Sequence, residues 1–150
     1  MTRIRVSNGT ETAYNLVSYA VEGGTTGAGA VQPTFNGAPL FDADYLVIGR
    51  FCHFDIDVRF DNITSFGSGQ YYLTLPFAVH DNYLFSDGCL HDDSTGDEYA
   101  ILGHVNAGSN IMTLLATVSN GKQVPFTNSV PVNLHIEDNF HIAGSYIIAV

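Results

Sequence analysis

The chain has 150 residues, 45% of them apolar and 13% charged, so it is long enough to bury a core and too apolar to stay unfolded. Its 5 basic and 15 acidic residues give a formal charge of −10, which excludes a basic nucleic-acid stripe and disfavours docking on an anionic membrane. Arg3 and Arg5 are two of the five basic residues, leaving three against fifteen, or −12, over residues 7–150. The start of the chain thus reads either as an arm that docks on an acidic surface or as a chance distribution.

TRIRV and AYNLVSYAV, within residues 2–22, are strand-like and are separated by the turn signal SNGTE. GGTTGAGA, residues 23–30, reads as a flexible connector between this arm and the body, which sets domain bounds of 1–30 and 31–150. In the body, Asn36-Gly37 signals a tight turn. From Tyr45 one long strand is expected. Leu46, Ile48, Cys52, Phe54, Ile56, Val58 and Phe60 fall on one parity, broken by Arg50, with His53, Asp55, Asp57 and Arg59 on the other. After DNITSFGSG comes the strand QYYLTL, ended by Pro76; NYLF (82–85), EYAILGHV (98–105) and NIMTLLATV (110–118) follow between turn signals. NFHIAGSYIIAV closes the chain in alternation at Phe140, Ile142, Gly144, Tyr146, Ile148 and Val150. Short strands with frequent turns predict an all-β antiparallel sandwich or barrel.

Phosphate binding at the Gly67 and Gly69 loop is excluded, because a strand follows where a helix N-terminus and a Lys-Ser/Thr pair are needed. His53, Asp55 and Asp57 form the wet or interface face of a strand, with metal ligation as the alternative. HDDSTGDE gathers Asp92, Asp93, Asp97 and Glu98 as a solvated acidic turn, or as an irregular Ca²⁺ loop without the EF-hand order. His80-Asp81 is expected to point apart, as strand neighbours do, and the remaining histidines (His91, His104, His135, His141) are scattered. Cys52 and Cys89, without CxxC spacing, read as buried free thiols. The Asn-x-Thr matches at Asn8 and Asn62 carry little meaning, since no signal peptide is read at the start and no apolar run reaches membrane-spanning length. No GxSxG, HExxH or catalytic-cysteine pattern occurs, so the chain reads as non-enzymatic and without a cofactor.

DYLVIGRFCHFDIDVRFDNITSFGSGQYYLTLPF resembles the jelly-roll domain of tailed-bacteriophage structural proteins. Tyr45 and Ile48-Gly49 match the lead-in of that family, Thr64, Gly67, Gly69, Tyr72, Leu75, Pro76 and Phe77 its central segment, and Asp138, Phe140, Ile142, Gly144 and Tyr146 its closing strand. The resemblance covers residues 33–150 and implies a jelly-roll sandwich with an extended N-terminal arm, located in the virion after assembly in the host cytoplasm. It implies a head decoration (cement) protein that binds the major capsid protein and is assembled as a homotrimer, with Arg3 and Arg5 of the arm, read from the charge distribution, as part of the grip. The alternative is a tail-tip or tail-fibre adhesin for host glycan or protein, bound to other tail proteins, with Tyr83, Asp92, Asp93 and Asp97 as candidate ligand-loop residues. A non-viral, lectin-like β-sandwich is a third possibility. Neither nucleic acid nor membrane insertion is expected.

Overall fold

The computed structural model describes residues 2–5, 11–14 and 16–150, with side chains from Leu16 onward. Every helix or strand among them is a strand, and every ladder is antiparallel. Among the described residues, strands β1 (Thr2–Arg5) and β2 (Glu11–Tyr14) pair only with each other. Then come β3 (Val17–Ser18), β4 (Gly23–Val31), β5 (Thr34–Phe35), β6 (Leu40–Ile48), β7 (Phe51–Arg59), β8 (Ile63–Ser65) and β9 (Ser68–Thr74). The second half supplies β10 (Tyr83–Phe85), β11 (Asp87–Asp92), β12 (Asp97–Val105), β13 (Ile111–Thr117), β14 (Gln123–Pro125) and β15 (Asn139–Ile147). The main sheet runs β3-β6-β7-β15-β11-β12-β13-β9-β4, with β10 beside β12 and β14 beside β13, while β5 and β8 pair separately.

This sheet curls until its two halves face each other, in a sandwich-like arrangement. The corner lies in β12, whose Asp97–Ala100 segment pairs with β11 while Ile101–His104 pairs with β13. Glycines let the corner close: a Cβ on Gly88 would strike the Ile101 carbonyl, and one on Gly103 the Met112 sulfur. Between the halves, Cys52, Phe54, Ile56 and Val58 of β7 and Phe140, Ile142 and Tyr146 of β15 meet Leu73, Met112, Leu114 and Ala116, all buried. Burying each large apolar side chain contributes about 1.5–3 kcal/mol. Phe126 and Phe140 meet edge to face at 5.6 Å, as do Phe54 and Phe85 at 4.9 Å. Tyr146 joins the closing strand to Leu-Pro-Phe: its hydroxyl donates to the Phe77 carbonyl at 3.0 Å and accepts from the Phe77 amide at 3.1 Å.

The expected strands over QYYLTL, NYLF, EYAILGHV, NIMTLLATV and the closing run are present. The single long strand from Tyr45 is corrected. Gly49 and Arg50 form a two-residue turn between β6 and β7, with Gly49 at φ 64°, as the first central residue of a type II′ hairpin requires. The parity therefore switches at the turn. Phe41, Ala43, Tyr45 and Val47 face the core, and Leu46 and Ile48 lie on the opposite face. GGTTGAGA is likewise not a loop: it lies in β4, which pairs with β9 through a bulge between Thr26 and Val31. The same approach explains FGSG. Gly67 (φ 68°) and Gly69 (φ 116°) are a corner between strands, where a Cβ on Gly67 would strike the Val31 carbonyl and one on Gly69 would lie 2.8 Å from that of Thr26. DGCLHD, flanked by two turn signals, is the additional strand β11. His80 and Asp81 sit in a bend rather than a strand, so their side chains meet at 3.0 Å. Cys52 is fully buried but Cys89 is only half-buried; both thiols are free.

Candidate functional site

The hairpin β6–β7 and the neighbouring strand β15 build one outward face. Directly opposed residues share a face, and alternate residues point inward. Five cross-strand rows follow from the register: Ile48–Phe51–Ile147, Leu46–His53–Ser145, Asp44–Asp55–Ala143, Asp42–Asp57–His141 and Leu40–Arg59–Asn139. In the first row the three apolar side chains are 36%, 44% and 36% exposed, although each is large enough to belong in a core. One end of the face is therefore apolar, and the acidic rows that follow are closed off by Arg59 at the other end.

His53, Asp55 and Asp57 share this face, as the sequence predicts, and the hairpin brings Asp42 and Asp44 beside them. Asp42 opposes Asp57 and Asp44 opposes Asp55, two like-charge pairs that each destabilise the sheet by a fraction of a kcal/mol. Partial relief comes from His141, whose Nε2 lies 3.1 Å from Asp55 Oδ1, and from Ser18, whose hydroxyl donates to Asp44 at 2.6 Å. Burial pushes the Asp57 carboxyl above its ordinary range; His141 opposes that shift, while Asp55 and Asp42 add to it. His53 Nδ1 meets the Ser145 hydroxyl at 2.9 Å.

On β11 and β12 the same face carries Cys89, His91 and Glu98. Glu98 accepts from the Cys89 thiol and lies 3.0 Å from His91 Nδ1, and these two hydrogen bonds hold its carboxyl below the usual range. Burial, reinforced by Glu98, pushes the Cys89 thiol up to about 11, so it stays protonated at neutral pH.

The acidic loop divides by burial. Asp93 and Asp97 are exposed, whereas Asp92 is fully buried. Asp92 Oδ1 accepts from the Ser94 amide (3.0 Å) and hydroxyl (2.6 Å), and Oδ2 from the Thr95 hydroxyl (3.1 Å). The Ser94 hydroxyl contributes most to holding this carboxyl below the ordinary range. Asp138, also fully buried, accepts from the Asp93 amide at 3.0 Å and the His135 amide at 2.6 Å. Ligand atoms of Asp92, His135 and Asp138 lie within 4.8 Å of one another, so these three residues could hold a cation. The carboxylate oxygens of Asp92 and Asp138, however, already accept from hydroxyls and backbone amides of the two loops they join, which is the work of a structural clip.

Tyr83 does not offer itself to a ligand in a loop: its hydroxyl accepts from the Ile147 amide at 3.0 Å, and its ring stacks on Phe85 at 5.8 Å. The backbones of Arg3 and Arg5 lie in β1; their side chains lie outside the described residues. The apolar row and the paired aspartates escaped sequence reading together, because both depend on the turn at Gly49-Arg50. Comparison of the chain with protein-family models, with curated proteins and with solved structures finds no match.

Proposed function

We propose that the chain is a non-enzymatic structural protein of a bacteriophage virion, a head decoration protein that docks on the capsid exterior and stabilises the shell. The observation that carries this reading is the exposed row Ile48–Phe51–Ile147 beside paired aspartates that His141, Ser18 and Arg59 relieve only in part. Exposed apolar side chains rimmed by charge favour a macromolecular partner. The aspartates select one that presents lysine or arginine, as a shell surface can, and neutralising them would remove the repulsion stored in the sheet. A protein that binds only the assembled shell stabilises it by mass action, without chemistry.

The jelly-roll assignment belongs to this reading and is supported by the curled antiparallel sheet and the strand corner at Gly67 and Gly69. A homotrimer belongs to it too, since closed symmetry covers edge strands, and β3 and β4 are the edges of the main sheet. The self-paired β1–β2 hairpin, with Arg3 and Arg5, supplies a second contact to acidic shell groups. The test is gold-labelled antibody against the protein on intact particles: even label over heads supports the proposal. Label confined to the tail tip replaces it with the adhesin reading, and unlabelled particles overturn both.

A further inference from the structure

The two edges of the main sheet, β3 and β4, are consecutive in the chain, and residues 19–22 cross from one to the other. The crossing is anchored at both ends. The Tyr19 amide donates to the Ala43 carbonyl at 3.0 Å; the Glu22 amide donates to the Thr74 hydroxyl oxygen at 2.9 Å, and the Glu22 carbonyl accepts from the Thr74 amide at 2.8 Å. Beside it the seam opens into a cleft of about 360 Å³, within the range of ligand pockets, roughly 300–1,000 Å³.

Three half-buried aromatic residues line this cleft. Tyr19 and Tyr45 pack edge to face at 5.7 Å, and Tyr45 and Phe77 do so at 5.2 Å. The Tyr19 hydroxyl is committed to the Thr74 carbonyl at 3.3 Å, and burial raises its pKa well above the ordinary value, so that ring is a fixed, neutral wall. Around the rings stand polar groups with capacity to spare. Asn110 donates its amide to the Leu75 carbonyl at 3.4 Å and keeps its oxygen. Among the described residues, the Glu22 carboxylate and the Tyr45 hydroxyl have no side-chain hydrogen-bond partner.

We infer that this seam cleft binds a neutral, hydroxyl-rich ligand, a saccharide. The rings offer apolar surface to the C–H face of a pyranose; Glu22, Asn110 and Tyr45 offer two acceptors and an O–H to its hydroxyls. Among the described residues, the lining carries one carboxylate and no basic group, so sialylated, uronic or phosphorylated sugars are disfavoured. The inference is independent of where the protein sits on a particle, since the cleft shares no residue with the docking rows.

The test is a saturation-transfer NMR titration of the full chain with methyl glycosides of neutral hexoses and N-acetylhexosamines, with glucuronate and sialic acid as anionic probes. At least one neutral glycoside is expected to bind. Glu22→Gln and Tyr45→Phe, which change single polar groups at little risk to the fold, are each expected to weaken it about tenfold, the loss of one good hydrogen bond. Phe51→Ser is expected to leave it unchanged. The proposal is overturned if no neutral glycoside binds, if anionic sugars bind better, or if both cleft variants bind as the parent does. None of those results bears on shell docking, which the immunogold experiment reads.

Discussion

Replacing Asp138 by alanine should cost more stability than any surface charge change in this protein. The carboxylate is fully buried and joins two segments: Oδ1 accepts the Asp93 amide at the β11–β12 turn, and Oδ2 accepts the His135 amide in the loop entering β15. Alanine leaves both amides without a partner, at about 1–3 kcal/mol each, or roughly 2–6 kcal/mol together. For a chain of this size that corresponds to a fall in Tm of roughly 5–20 °C. Asp138→Asn keeps one carbonyl oxygen and should lose about half as much. The main-chain bond from the Phe60 amide to the Asp138 carbonyl, at 3.1 Å, survives both substitutions, so the loss reports on the side chain alone. Thermal unfolding followed by circular dichroism decides the matter. A fall of less than about 2 °C for the alanine variant would refute the clip, because two orphaned amides cannot cost so little.

Four further outcomes are expected. Asp42→Asn should raise stability by about 0.2–1 kcal/mol in urea titrations by removing the repulsion with Asp57, while weakening particle binding; a loss of stability would show that the pair is not repulsive. Asp92 has a folded pKa below its unfolded value, so its contribution is present above about pH 4 and is lost as pH falls through the folded value; Asp92→Asn should flatten that acid limb of stability against pH. Gly144→Ala would drive a Cβ into Phe85 and to 3.0 Å from Phe54, lowering the urea midpoint by an amount equivalent to about 1–3 kcal/mol; an unchanged midpoint would mean the rings yield freely. Millimolar Ca²⁺ or EDTA should leave Tm unchanged, because the oxygens of Asp92 and Asp138 already accept from hydroxyls and amides of the two loops they join, and a large Ca²⁺ stabilisation would reassign them as ligands.

The fold was legible wherever burial imposed period two. Cys52, Phe54, Ile56 and Val58 alternate with His53, Asp55 and Asp57, and the strand is where that alternation places it. Leu46 and Ile48 misled because a two-residue turn moves the core from odd residues in β6 to even residues in β7; Gly49 and the polar Arg50 were the local signals of the break. β4 was hidden by its composition, which reads as a loop: Gly23 and Gly24 lie against the side chains of Leu73, Phe41 and Gln32, while Gly27 and Gly29 take positive φ in the irregular stretch between Thr26 and Val31. The candidate site was legible in part for the same reason. One strand of aspartates could be read directly, but its partners Asp42 and Asp44 arrive through pairing across the missed turn. In the acidic loop the composition was plain, and the inward aim of Asp92 was not, because it depends on the Ser94 and Thr95 hydroxyls closing around it.

The most direct test of the central claim is a cryo-electron microscopy reconstruction of particles bearing the protein, with Phe51→Asp particles as the comparison. Docking predicts density for one copy after another over the head, with Ile48, Phe51 and Ile147 against the shell, and bare heads in the variant. Heads still decorated in the variant, or the β6–β7–β15 face turned to solvent, would contradict it.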